Sequence, residues 1–400
     1  MVYSKDGEKL IHTMSVINVA ASNSSNRDKE IADYVCTGTN DNLTIQNIID
    51  GFGEHSGIIN FAVGTYNFDT FVEHDGFYYG LYFPKIKREI ILRGAHTNHK
   101  VINVGFAVTG NAAVFNIASS AYSNLPSNVE SCVIGAERNW EFPYNELGIE
   151  YLTITVPNNT KPVIGIDGYF FSEIHVEKSY LNALGDINSY ANTNPKSVAI
   201  RGCQGGNTGF DYYFKNNKII GWGTAFQIMG EHLVMEACIA QRCLYGYIIG
   251  YTNDVPHPNN GTKGPHTGIH PHTIINCASE GNINAVHFGQ GSHLNTLSFI
   301  DFNMELYPLD NPYHTQHIFT ADNDSPYLGS ISYLCSGINW DNVQINAWDS
   351  NDHAKKFKTR DLAAPLSGIT TERPTDPVYL SQYFDTTLNK MLTWNGSEWV

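Results

Sequence analysis

The sequence predicts an all-β chain folded as a parallel β-helix, a solenoid of stacked coils with a capping helix near its amino terminus and a small antiparallel β module at its carboxy terminus. Three observations point there. Short β-branched or aromatic runs recur and end near Gly. The 400 residues are only 16% charged yet 12% aromatic, with 35 Gly, which suits short strands and many turns. No long stretch carries helical periodicity.

Residues 1–31 hold one β-like run, 10–20, and then a Ser/Asn stretch, 22–27, that reads as a linker. In residues 32–68, Thr44, Ile45, Ile48 and Ile49 stand at helical spacing behind polar cap residues, and Gly51 and Gly53 end the run. One face of this helix is apolar, so it must cover something. Residues 57–66 are too short and too β-branched for a helix and read as the first buried strand and a turn.

The order Ala-Asp-Tyr-Val-Cys-x-Gly-x-x-Asp (32–41), then Ile-Gln-x-x-Ile-Asp (45–50), then Gly-Thr-Tyr (64–66) resembles the amino-terminal cap of pectate-lyase-like right-handed parallel β-helices. That superfamily consists mostly of polysaccharide lyases, glycoside hydrolases and bacteriophage tail spikes. The resemblance implies a right-handed, carbohydrate-facing solenoid and leaves the reaction open.

Further strands are expected at 89–94, 101–108 and 112–117, with loops at 119–128 and 138–146. From residue 149 the coils become legible. Runs at 151–155 and 173–177 read as strands one coil apart, 218–221 follows, and 224–228, 245–249 and 284–288 align with one another. Their spacing of roughly twenty residues is that of a three-sheet coil. A β-sandwich of many short strands is the competing reading. Residues 251–272 form an insertion that no coil can absorb. The β-helix is assigned to 32–356, with its cap at 32–68, and the module to 357–400.

The tail pattern Arg-Pro (373–374), Tyr-Phe-Asp-Thr-Thr-Leu-Asn-Lys (383–390) and Trp-Asn-Gly-x-x-Trp (394–399) predicts a small antiparallel meander. Asn395-Gly396 supplies the positive φ angles of a type I′ hairpin turn. The pattern resembles a short module that closes many phage and prophage tail proteins. It implies a virion tail component that recognises, and in some relatives depolymerises, a bacterial surface polysaccharide, and that works as a homotrimer. The alternative is a stand-alone polysaccharide lyase or glycoside hydrolase, secreted or at the cell surface.

The formal charge of −15 argues against nucleic acid, which needs clustered Lys and Arg, and against anionic membranes. Seven cysteines form no CxxC pair and cannot all pair within one chain, so they read as buried thiols. With no signal-like start and no eighteen-residue apolar run, folding in a reducing cytoplasm is expected. No cofactor or metal is expected.

Catalysis on a glycan needs carboxylates, roughly 5–5.5 Å apart for retention or 6.5–9.5 Å for inversion. On the 173–177 strand, period two turns Ile174 and Val176 inward and Glu173, His175 and Glu177 outward. The two glutamates are then about 13 Å apart along the strand, so each needs a partner on a neighbouring coil. Thr153 and Thr155 on one side and Arg201 on the other are the neighbours expected. Glu280, just beyond the insertion, completes the catalytic candidates. Arg201, Trp222, Tyr245, His266, His270 and His272 are the substrate-binding candidates, as a uronate clamp, stacking rings and loop imidazoles. For each, solvated ladder polarity or ordinary packing is the competing account. The histidines lack zinc-site framing.

Overall fold

The computed structural model describes residues 14–95, 112–138, 145–183, 192–202, 212–228, 233–252, 272–289, 293–305, 317–321, 327–337, 358–361, 367–368, 370–372, 382–394 and 397–400. Almost every strand among them pairs in parallel with the strand one coil away, which resolves the chain into three ladders. The first runs from Ser15–Ala20 through Gly57–Phe61, Glu89–Gly94, Glu146–Glu150, Glu173–Glu177, Tyr212–Lys215, Leu233–Glu236 and His272–Ile275 to His293–Glu305, Tyr327–Gly337 and Lys358–Asp361. The second runs from Gly64–Phe68 through Ala113–Ile117, Leu152–Val156, Tyr180–Ala183, Lys218–Ile220 and Ile239–Gln241 to Ala278–Glu280. The third runs from Phe77–Phe83 through Ser131–Ala136, Val163–Asp167, Val198–Gly202, Thr224–Ile228, Tyr245–Ile249 and Asn284–Phe288 to His317–Ala321. Side chains from all three meet in one core, Ile174, Leu181 and Ile200 among them. The arrangement is consistent with a parallel β-helix.

Corners of one or two residues join the first ladder to the second. Tyr151, Lys178, Asn216, Ala237 and Asn276 all take a positive φ between 51° and 56°. The amide of each of the first four donates to the strand end one coil on, as Lys178 N does to the Lys215 carbonyl at 2.8 Å. These corners correct the predicted coil alignment. Leu152–Val156 belongs to the second ladder and Glu173–Glu177 to the first.

Among the described residues three short α-helices interrupt the β-structure. α1 (Asn26–Ile31) is capped by Ser25, and Ser24 Oγ donates to the Val63 carbonyl at 2.7 Å, so the Ser/Asn stretch is packed turn and helix rather than an extended linker. α2 (Asp41–Gly51) buries Ile45, Ile48 and Ile49. Its polar residues meet the edge of Phe77–Phe83 as a strand would. Gln46 donates to the Tyr82 carbonyl and accepts from the Tyr82 amide, both at 2.8 Å, and Asn42 donates to the Gly80 carbonyl at 3.2 Å. Arg88 donates to the Ile49 and Gly53 carbonyls at the helix end. α3 (Ser119–Asn124) occupies a segment expected to be loop and buries Ala121 and Tyr122, because Tyr122 seats its hydroxyl against the Lys161 amide at 2.8 Å.

At the carboxy terminus Gln382–Asp385 pairs antiparallel with Lys390–Thr393. The turn between them is organised by buried Asp385, which accepts from the amides of Thr387 and Leu388 at 2.9 Å. Asn395-Gly396 lies outside the described residues, but Trp394 and Trp399 form an antiparallel bridge across it.

Candidate functional site

On Glu173–Glu177 the alternation is as period two requires. Ile174 and Val176 are fully buried, Glu173 is exposed, and His175 and Glu177 are half-buried on the outer face. The flanking strands differ from those expected. Glu146 stands opposite Glu173, Gly148 opposite His175 and Glu150 opposite Glu177. On the other side Tyr213 faces His175 and Lys215 faces Glu177. Thr153 and Thr155 pair in the second ladder, and Arg201 belongs to the third. The carboxylates sought for Glu173 and Glu177 are therefore Glu146 and Glu150, one strand away at about 4.8 Å between backbones.

His175 leans over Gly148, where an added Cβ would fall 2.4 Å from the imidazole. The missing side chain lets Nε2 come within 3.7 Å of Glu150 Oε1. Arg93, directly opposite Glu150 on its other side, holds the same carboxylate at 2.6 Å through Nε. Burial by itself would push the Glu150 carboxyl up, but Arg93 and then His175 outweigh it and hold it below the usual carboxylate range. Glu177 pairs with Lys178 at 2.7 Å, and Lys178 also donates to the Tyr151 hydroxyl at 2.7 Å. One coil on, Lys215 Nζ lies 3.0 Å from Glu236, which also accepts from the Tyr213 hydroxyl at 3.2 Å.

The result is a strip along the first ladder in which carboxylates, Arg93, His175, two lysines and the Tyr151 and Tyr213 rings repeat strand by strand. Chemically it offers donors and acceptors for hydroxyl groups and rings for stacking. A glycosidase also needs a carboxyl held neutral by a raised pKa. Glu150 is shifted the other way.

The remaining candidates lie elsewhere. Glu280 ends a second-ladder strand opposite Gln241 and Glu305, three coils on from Glu173–Glu177, an offset of about 14 Å along the stack by strand spacing alone. Trp222, between the strands Lys218–Ile220 and Thr224–Ile228, is fully buried with its ring against Gly165, so it packs in the core and offers no face for stacking on a sugar. Tyr245 is half-buried on the outer face of the third ladder, its ring edge-on to His287 at 5.4 Å. His272 opens a first-ladder strand, and its side chain, with His266 and His270, lies outside the described residues.

Arg201 is also fully buried. It forks onto Asp167 of the preceding strand, at 2.8 Å from Nε and 2.6 Å from an Nη, and reaches Glu130 at 3.2 Å. Arg138 joins the group, 2.9 Å from Glu130 and 3.4 Å from Asp167. Two arginines balance two carboxylates. Burial opposes ionisation of both acids, and the guanidiniums overcome it and leave both carboxyls below their ordinary range. Beside them burial pushes the Cys132 thiol well up. Cys36, Cys132, Cys238, Cys243 and Cys277 are buried free thiols. Among the described residues no His, Cys, Asp and Glu group is placed to hold a metal ion, and no helix is long and apolar enough to cross a membrane.

Sequence reasoning missed Arg93, Glu146, Glu150, Tyr213 and Lys215. A signal for three of them was present, since Glu-Ile-Ile-Leu-Arg (89–93) and Glu-Leu-Gly-Ile-Glu (146–150) repeat the pattern of Glu-Ile-His-Val-Glu (173–177).

Fold and strip together define the class, a predominantly β protein of long parallel ladders with a polar, ring-bearing outer face. No family model matches the sequence, and no curated protein matches it. Among solved structures the chain is similar to tailspike protein 3 of bacteriophage CBA120, with a TM-score of 0.30 and 10% identity, over 90% of this chain and 65% of that one. A likeness at that level defines neither a function nor a shared site.

Proposed function

We propose that the chain is a tail-spike-like protein that recognises a bacterial surface polysaccharide along the outer face of its first ladder. The observation that carries the reading is the in-register strip Arg93, Glu150, Glu177, Lys215 and Glu236, flanked by His175 and Tyr213. A polymer repeats its hydroxyl groups along its length, and the strip repeats donors and acceptors along the ladder. The cap-like 32–68 segment and the phage-module pattern of 383–399 support the further reading of a right-handed solenoid sealed by α2, assembled as a homotrimer and carried on a virion tail.

The test is retention on an array of bacterial surface glycans. The intact chain is expected to bind at least one, and Glu150→Gln or His175→Ala to weaken that retention about tenfold with thermal unfolding unchanged. Absence of retention on every glycan would overturn the proposal. Products report any cleavage, with new reducing ends marking a hydrolase and ultraviolet-absorbing unsaturated ends a lyase. A trimeric mass in solution is expected, and a clean monomer would remove the spike assembly.

A further inference from the structure

Away from the first-ladder strip, a concavity lies between α2 and the hairpin formed by Val72–His74 and Phe77–Phe83. It encloses about 280 Å³. One wall is Leu43, Gln46 and Asp50, whose spacing puts them on one helix face; the other includes Val72, His74 and Tyr82. This second wall is preorganised. The His74 ring stacks on Tyr82 at 3.8 Å with 8° between planes, and Gln46 ties the Tyr82 backbone through both its N–H and its carbonyl. Leu43 and Val72 are 37% and 38% exposed, so an apolar rim faces solvent.

The chemistry of the walls selects the occupant. The Gln46 amide is committed to Tyr82 and, at 2.9 Å, to Asp50, which leaves few polar groups to satisfy the hydroxyls of a sugar. The volume falls just below the range of drug-sized sites, which begins at about 300 Å³, and suits a single side chain. The carboxylate among the lining residues is Asp50, exposed at the mouth, on a chain of formal charge −15. We propose that this pocket seats an aromatic or branched apolar side chain of a partner polypeptide, with an adjacent Lys or Arg paired to Asp50. Stacking on the His74–Tyr82 pair supplies the anchor and Asp50 the preference for a basic neighbour.

The test titrates the intact chain with three fluorescently labelled dipeptide amides, Phe-Arg, Phe-Gln and Phe-Glu. Phe-Arg is expected to bind at least fivefold more tightly than Phe-Glu, with Phe-Gln between them. Asp50→Asn is expected to remove that order while leaving the Phe-Gln affinity in place. Val72→Trp, at a half-exposed position, fills the mouth and is expected to weaken all three at least tenfold with thermal unfolding and glycan retention as in the parent. No binding at millimolar peptide, an order unchanged in Asp50→Asn, or affinities unchanged in Val72→Trp would each overturn the proposal. Glycan retention is read on the first ladder, so its failure and that of the peptide site are separately visible.

Discussion

At Arg201 a guanidinium without exposed surface is held by Asp167 and Glu130. Breaking such a group strands a buried charge, whereas replacing it whole by apolar side chains does not. Asp167→Asn is therefore expected to cost about 3–5 kcal/mol in denaturant unfolding, and a joint replacement of all four charged residues by apolar ones far less. The pH dependence has a definite sign. Both carboxyls titrate lower in the folded chain, so their contribution is complete above the unfolded carboxylate range near about pH 4 and is lost as pH falls through it toward the folded values. Unfolding midpoints should drop between pH 5 and pH 3, estimated about the reference carboxylate values, and less steeply in Asp167→Asn; equal slopes would contradict the role given to this pair. Ala237 poses a backbone problem instead, holding φ 52° without the local bonding an Asn offers. Ala237→Gly should gain about 1 kcal/mol, read as a raised midpoint.

At the scale of elements, α2 does for the edge of Phe77–Phe83 what another strand would do elsewhere. The amphipathic spacing of Ile45, Ile48 and Ile49 made its existence and buried face legible. That Asn42 and Gln46, one turn apart, bond the strand edge was not legible, because both amides are unremarkable polar residues until the edge is placed beside them. Leaving the Tyr82 N–H unpaired in Gln46→Ala should cost about 1–3 kcal/mol and speed hydrogen exchange at the Tyr82 amide more than at strand amides further along. Uniform acceleration would instead indicate global loss. The corners show the same limit. Gly221 and Gly281 announce positive φ by residue type, but Tyr151 and Lys178 do not, so Tyr151 reads as the first residue of a strand at 151–155 and the strand Glu146–Glu150 ahead of it goes unassigned in the sequence.

At the scale of the whole molecule each strand leans mainly on its neighbours one coil away, so stability is a chain of local interfaces. Ile200→Ala, deep in the third ladder, should cost about 2–5 kcal/mol and loosen the flanking strands Val163–Asp167 and Thr224–Ile228 before distant ones. Exchange measured strand by strand checks this, and loosening confined to the ends would sink it. The sequence by itself determined that the chain is built of short strands, the inward and outward faces of Glu173–Glu177 and the helix at residues 41–51, since period two, helical spacing and Gly turns act within a few residues. Tertiary structure alone decided which strands lie side by side, and hence that His175 meets Glu150 and Arg93 while Arg201 is buried with Asp167. Parallel register depends on how many residues each corner and insertion absorbs between pairings, and no short window of sequence contains that count.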